Sequence, residues 1–270
     1  MAEAAPPVPS GLGRVKKVWL ILSGKGGVGK STMSAQLAVT LAATGSKVAL
    51  LDVDLCGPSI PRVLGLEGKE VMQSTEGWMP VLAGEESNPV AVMSIAFLLK
   101  STEEAVVWRG PKKNAMIKQF LEDTVWGERD YLLIDTPPGT SDEQISTIEH
   151  LKASGCVIEG AVMVTTPQDV SVVDVRKEIS FCQKMQVPVL GLVENMAGFV
   201  CPCCDECTDI FSRGGGEALA TAKAIPFLGR VPLDPRVAAC MDAGTPLSKA
   251  HPESPAGGAL LQVLAKLRKP

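Results

Sequence analysis

The chain has little aromatic content. Phe, Trp and Tyr make up 4% of its 270 residues, with a single tyrosine. Hydrophobic residues still reach 46%, so the core must be built from Val, Leu, Ile, Ala and Met. Histidine is scarce too. His150 and His251 are the only two, neither has metal-ligand spacing to a cysteine, and surface positions are expected for both. No apolar run reaches membrane-spanning length. The N-terminus, "MAEAAPPVPSGLGR", lacks an apolar h-region and carries an acid, so it reads neither as a secretory signal nor as a transit peptide. The net charge of −4 argues against a broad nucleic-acid or anionic-membrane surface and leaves room for a local basic patch only. A cytosolic protein without a nucleic-acid partner is expected. In that compartment eight cysteines point to metal or reactive thiols more than to disulfides.

The organisation follows from apolar runs and their punctuation. Residues 1–15 are rich in Pro, Ala and Gly and are expected to be disordered. Strands are expected at 17–23, 47–52, 90–98, 131–135, 160–166, 187–195 and 226–232, and helices at 31–44, 111–125, 171–185 and 215–224. One or two further helices close the chain. Residues 65–90 read as an irregular surface insertion. Strands apolar on both faces that alternate with helices predict an α/β fold: a mainly parallel central sheet covered by helices on both sides. No linker or repeat interrupts 16–270, so one domain is expected there.

"GKGGVGKS", Gly24 to Ser31, matches G-x-x-x-x-G-K-[ST] between a strand and a helix. Glycines let successive N–H groups of Gly24, Lys25, Gly26, Gly27, Val28 and Gly29 curl toward phosphate oxygens. The helix carrying Thr32 adds its positive end. Lys30 is expected on the β and γ phosphates, and the Ser31 hydroxyl on Mg2+. Lys25 is a second lysine inside the loop, and its plain alternative is a solvated surface residue.

Ligands of open parallel sheets sit at the carboxyl ends of the strands. Asp52 and Asp54 occupy one such end in "LLDVDLCGPS", and Asp135 another in "YLLIDTPPGT". Asp135 stands where a Walker B acid holds the Mg2+ shell. The competing reading, sharpest for Asp52, is a helix cap. "TPPGTSD" reads as a switch loop. Asn195 ends a strand in "VENMAG", where its amide could meet a purine edge or form a turn. No N-K-x-D guanine signature occurs, so ATP is favoured over GTP.

The densest feature is "GFVCPCCDECTD", residues 198–209, with four of the eight cysteines. Cys201/Cys204 and Cys204/Cys207 are overlapping C-x-x-C pairs. One short loop is a poor source of all four corners of a metal site. Two ligands per chain, completed by a two-fold partner, is the simpler solution. Structural zinc and a redox C-x-x-C pair are the competing readings. The isolated Cys56, Cys156, Cys182 and Cys240 are expected to be buried packing, Cys56 least securely.

Together "GKGGVGKS", "DVDLCGPSIP", "WRGPKKNAMIKQF", "DYLLIDTPPGTSDE", "VENMAGFVCPCC" and "FSRGGGEALA" resemble the Mrp branch of the MinD-like P-loop ATPases. More closely they are similar to the small subunit of the eukaryotic cytosolic iron–sulfur scaffold. The likeness spans nearly all of 17–235. It implies that Lys25 reaches across a dimer to the partner's nucleotide, that Asp54 orients the attacking water and that Asp52 supports the metal. It also implies that Cys201 and Cys204 carry a [4Fe–4S] cluster shared between subunits. The partners it implies are a second copy, the larger paralogue, late-acting assembly factors and cytosolic or nuclear recipient apoproteins, with weak, dimer-dependent ATP hydrolysis. The alternative is a positioning ATPase with structural zinc. Its membrane form would use a C-terminal helix in which Leu260, Leu261, Leu264 and Leu267 share a face beside Lys266, Arg268 and Lys269.

Overall fold

The first apolar run becomes strand β1, Val15–Leu22, whose last five residues are buried on both faces. It lies at the centre of the sheet in this computed structural model. The structure describes residues 11–84, 86–99, 108–201, 207–243, 245 and 247–268. Of the tail expected at 1–15, residues 1–10 lie outside these. Gly11–Arg14 form a 3-10 turn instead of disorder, because Leu12 is buried in the core.

Helix α1 (Lys30–Ala43) follows the glycine loop, and β2 (Val48–Asp52) returns beside it. The short α2 (Ile60–Val63) leads into the 65–90 stretch, which is more regular than expected. Strands β3 (Met72–Ser74) and β4 (Gly77–Met79) form a hairpin, and β5 (Val81–Ala83) joins the edge of the main sheet antiparallel to β6 (Val90–Ser94). Three-residue strands are too short to show a period-two pattern, which hides them in the sequence. Next come α3 (Gly110–Glu122), β7 (Arg129–Asp135) and α4 (Asp142–Ala153). Helix α4 is an addition to the sequence reading. Its signal was the cap: Ser141 accepts from the Gln144 amide, and Asp142 and Glu143 fill the first turn. The remaining elements are β8 (Ile158–Thr165), α5 (Asp169–Lys184), β9 (Val189–Val200), β10 (Cys207–Thr208), α6 (Gly215–Ala222) and β11 (Phe227–Leu233). Three helices close the chain, α7 (Pro235–Asp242), α8 (Leu247–Ala250) and α9 (Pro255–Leu267).

The sheet runs β10-β9-β8-β1-β7-β2-β6-β5, with β11 also on β9. Every pairing is parallel except β5 with β6 and β10 with β9. Side chains alternate to two apolar layers, one containing α1 and α9, the other α3, α4 and α5. Helix α9 spends its stripe on the first layer. Leu260, Leu264 and Leu267 are buried and Leu261 alone faces out. That removes the apolar face a membrane-docking helix would need.

Candidate nucleotide and cysteine site

The parallel order brings the carboxyl ends of β1, β2, β7, β8 and β9 to one edge. The loop after β1 is held there from several sides. Gly27 and Gly29 are left-handed, at φ 81° and 83°. A Cβ on Gly24 would stand 2.5 Å from the Asp174 carbonyl carbon, so α5 closes directly on the start of the loop. A Cβ on Gly29 would stand 2.3 Å from Nδ2 of Asn195. The switch loop is tied to the same base, since Gly139 N donates to the Ser23 carbonyl at 2.9 Å.

At the mouth of α1, three side chains meet one acid. Lys30 Nζ and Ser31 Oγ each lie 2.7 Å from Oδ2 of Asp135, and the Ser34 hydroxyl donates to Oδ1. Lys30 is nearly buried and Asp135 wholly so. A hydroxyl and a carboxylate on one spot are the donor pair a hard cation takes in phosphoryl-transfer sites, so Ser31 and Asp135 suit Mg2+. Ser34 was not anticipated. Its signal is the four-residue step from Lys30, which puts both on one helix face.

Asp52 is tied to the chain around it. Its oxygens accept from Asp54 N at 3.1 Å, Ile60 N at 3.3 Å and Ser94 Oγ at 3.2 Å. It therefore caps α2 and shapes the loop that carries Asp54. Burial, with the charge of Asp135 added, holds its carboxyl well above the usual range. Asp54 is half-buried at the edge, accepts from Gly57 N at 3.2 Å and is also raised by burial. A carboxylate raised in this way is a better proton acceptor for a water than an ordinary aspartate.

Lys25 is exposed, and among the described residues its ammonium meets no carboxylate. Thr32 follows on the first turn of α1. Asn195 lies at the carboxyl edge of the sheet, in the run "VENMAG". It is nearly buried under the loop, and its amide donates to the Val28 carbonyl at 2.9 Å. Lying one strand beyond β8, its side chain reaches back to the loop rather than outward. Its neighbour Glu194 is also buried. It accepts from Arg230 Nε at 3.1 Å and from the Gly216 amide at 2.6 Å, fixing the start of α6.

Past Asn195, β9 bends at Met196 (φ 56°) and Gly198 (φ 82°) and ends beside Cys201, which is half-buried. Cys203 and Cys204 lie outside the described residues, and Cys207 begins β10, which folds back on Val200 and Phe199. Cys182 and Cys240 are buried as expected, and burial pushes the Cys182 thiol up to about 12. Cys156 is half-buried. Cys56 is exposed instead, because it sits in the edge loop after Asp54, with Lys113 Nζ at 3.0 Å. Lys113 also holds Glu143 at 2.7 Å and so straps α3 to α4.

A family model described as the NUBPL iron-transfer P-loop NTPase, of the ParA group, matches residues 14–268. The chain belongs to this family. Among curated relatives of this NTPase, a cytosolic Fe-S cluster assembly factor NUBP2 homolog from Trichoplax adhaerens is 58% identical, covering 94% of this chain and 95% of that protein. The Homo sapiens cytosolic Fe-S cluster assembly factor NUBP2 is 55% identical, covering 96% and 94%. A nucleotide-binding protein from Archaeoglobus fulgidus, solved with ADP, is 41% identical and superposes with a TM-score of 0.75 over 86% of this chain and 88% of that one. MinD from Pyrococcus horikoshii shares the fold, at a TM-score of 0.64 and 23% identity over 94% and 96%. The fold of this NTPase is thus the MinD/ParA type, as the alternation of strands and helices implies.

Proposed function

We propose that this protein is an ATP-dependent scaffold and carrier for iron–sulfur clusters in the cytosol. The relatives named above are cytosolic Fe-S cluster assembly factors, which supports an assembly role and that location. The finer reading is that Cys201 and Cys204 of two facing chains hold a labile [4Fe–4S] cargo, later handed to cytosolic and nuclear apoproteins. The second chain is another copy or the larger paralogue. Support for a partner on this edge comes from its exposed apolar residues, Ile145, Val170, Val173 and Ile210, which lie near the loop, α4, α5 and the cysteine segment.

One observation carries the reading: strand β9 holds the phosphate loop through Asn195 and ends at Val200, next to Cys201. A shift of the loop on nucleotide binding would move the same strand. With nucleotide and Mg2+ bound, Lys30 would exchange Asp135 for phosphate oxygens, Ser31 and Asp135 would hold the metal, Asp54 would orient the attacking water and Lys25 would serve the partner's nucleotide. Hydrolysis is weak and depends on the dimer.

The test is anaerobic purification and reconstitution with iron and sulfide. We expect about two iron atoms per chain and a [4Fe–4S] spectrum, lost in Cys201→Ala/Cys204→Ala. A full spectrum in that variant overturns the ligand assignment. One zinc per chain and no cluster supports the positioning-ATPase alternative.

A further inference from the structure

The amino ends of the strands carry a second feature, on the side of the sheet opposite the nucleotide loop. Two adjoining cavities of about 350 and 450 Å³ share Lys16, Gly45 and Asp130. Strand β1 is eight residues long, so about 25 Å separates them from the phosphate loop. Among the described residues six cations line them, Arg14, Lys16, Lys17, Lys47, Arg129 and Arg268, against two acids, Glu128 and Asp130. The whole chain is acidic, at −4, so this groove runs against its average charge.

The acids are spent within the chain. Asp130 pairs with Lys16 at 2.8 Å and accepts the Lys47 amide at 2.8 Å. Glu128 pairs with Lys47 at 3.0 Å, and Lys17 pairs with Glu159. The three arginines are left over. Among the described residues none of them closes an ion pair, and Arg14 acts on Glu128 only from a distance, as one of the charges that lower its carboxyl. Arg129 donates Nε to the Trp126 carbonyl at 2.8 Å, and burial alone lowers its guanidinium. Arg268 donates one nitrogen to Thr44 Oγ1 at 3.0 Å, and Arg14 is exposed. Each keeps part of its donor fork for an outside acceptor.

We infer that this groove is a docking surface for a carboxylate-rich peptide segment of a partner protein, held by Arg14, Arg129 and Arg268. Planar guanidinium forks match carboxylates bidentately, whereas the lysines, which act as point charges, are already paired. A duplex or single strand requires a longer track of uncommitted cations than three arginines provide. The groove is remote from the nucleotide, so docking here leaves the ATP site free.

The full chain is titrated with a labelled peptide of repeated Glu-Gly-Asp-Gly units. The controls are a Gln-Gly-Asn-Gly peptide and an oligothymidylate of equal length. We expect micromolar binding of the acidic peptide alone, weakening as salt rises. Arg14→Ser/Arg268→Ser should weaken it at least about tenfold, with nucleotide affinity unchanged. Should that variant fail to fold by circular dichroism, Arg14→Lys/Arg268→Lys carries the test, with a smaller loss expected. Unchanged peptide affinity in the folded variant overturns the proposal. So does equal or tighter binding of the oligothymidylate, or no binding of the peptide at millimolar concentration.

Discussion

The side-chain amide of Asn195 donates to the Val28 carbonyl at 2.9 Å. One hydrogen bond thereby joins the phosphate loop to the strand that leads to Cys201. Gly29 leaves the space for it, since a methyl there would overlap the amide nitrogen.

Asn195→Ala should loosen the loop. It leaves the Val28 carbonyl without its partner in a buried place, a cost of about 1–3 kcal/mol. Nucleotide affinity measured by calorimetry should fall by up to roughly 5- to 150-fold. An unaltered dissociation constant would show that the brace has no part in nucleotide binding.

Gly24→Ala tests the contact between the loop and α5. The added methyl meets the Asp174 backbone, which cannot swing aside as a side chain would. The melting temperature should drop, and the steady-state ATPase should drop further, because the loop must shift to admit the methyl. Alanine tolerated on both counts would mean that α5 yields freely.

Lys30→Ala leaves a buried Asp135 without its countercharge. Removing one partner of a buried pair costs about 3–5 kcal/mol. Denaturant titration should reveal that loss, together with loss of ATP turnover. Lys30→Arg should recover stability better than turnover, and the reverse order would contradict the pairing seen here.

Glu178 sets a pH dependence. Its side chain is buried on α5, and among the described residues neither carboxylate oxygen has a partner. Burial, with the charge of Asp174 second, raises its carboxyl from the ordinary 4.5 to about 7. The native state therefore holds this proton longer than the unfolded chain. Stability is undiminished below about 4.5 and falls as pH rises through about 7. Glu178→Gln should remove that slope and gain on the order of 2–3 kcal/mol above pH 7. A stability profile parallel to that of the parent protein between those limits would refute it.

The parts that were legible in the sequence are local ones. "GKGGVGKS" states its own turn, because only glycine tolerates φ 81° and 83° at Gly27 and Gly29 cheaply. Apolar runs mark β1, β2, β7 and β8, since a strand covered on both faces needs no alternation. The β3–β4 hairpin and β5 were hidden by their shortness, and α4 by a buried face that includes Gln144, Ser146 and Thr147 beside Ile148 and Leu151 and so shows no clean apolar stripe.

The amino-acid order thus determined the fold type, the phosphate loop and the candidate acids, because backbone preference and burial patterning act over a few residues. Folding in three dimensions decided how those groups are used. Lys30 meets Asp135 across 105 positions, and Asn195 meets Val28 across 167. Asp52 binds the first amide of α2 eight residues on, Cys56 faces solvent, and six scattered cations share a groove. A side chain's partner depends on which strands the sheet sets side by side, and sequence spacing does not encode that.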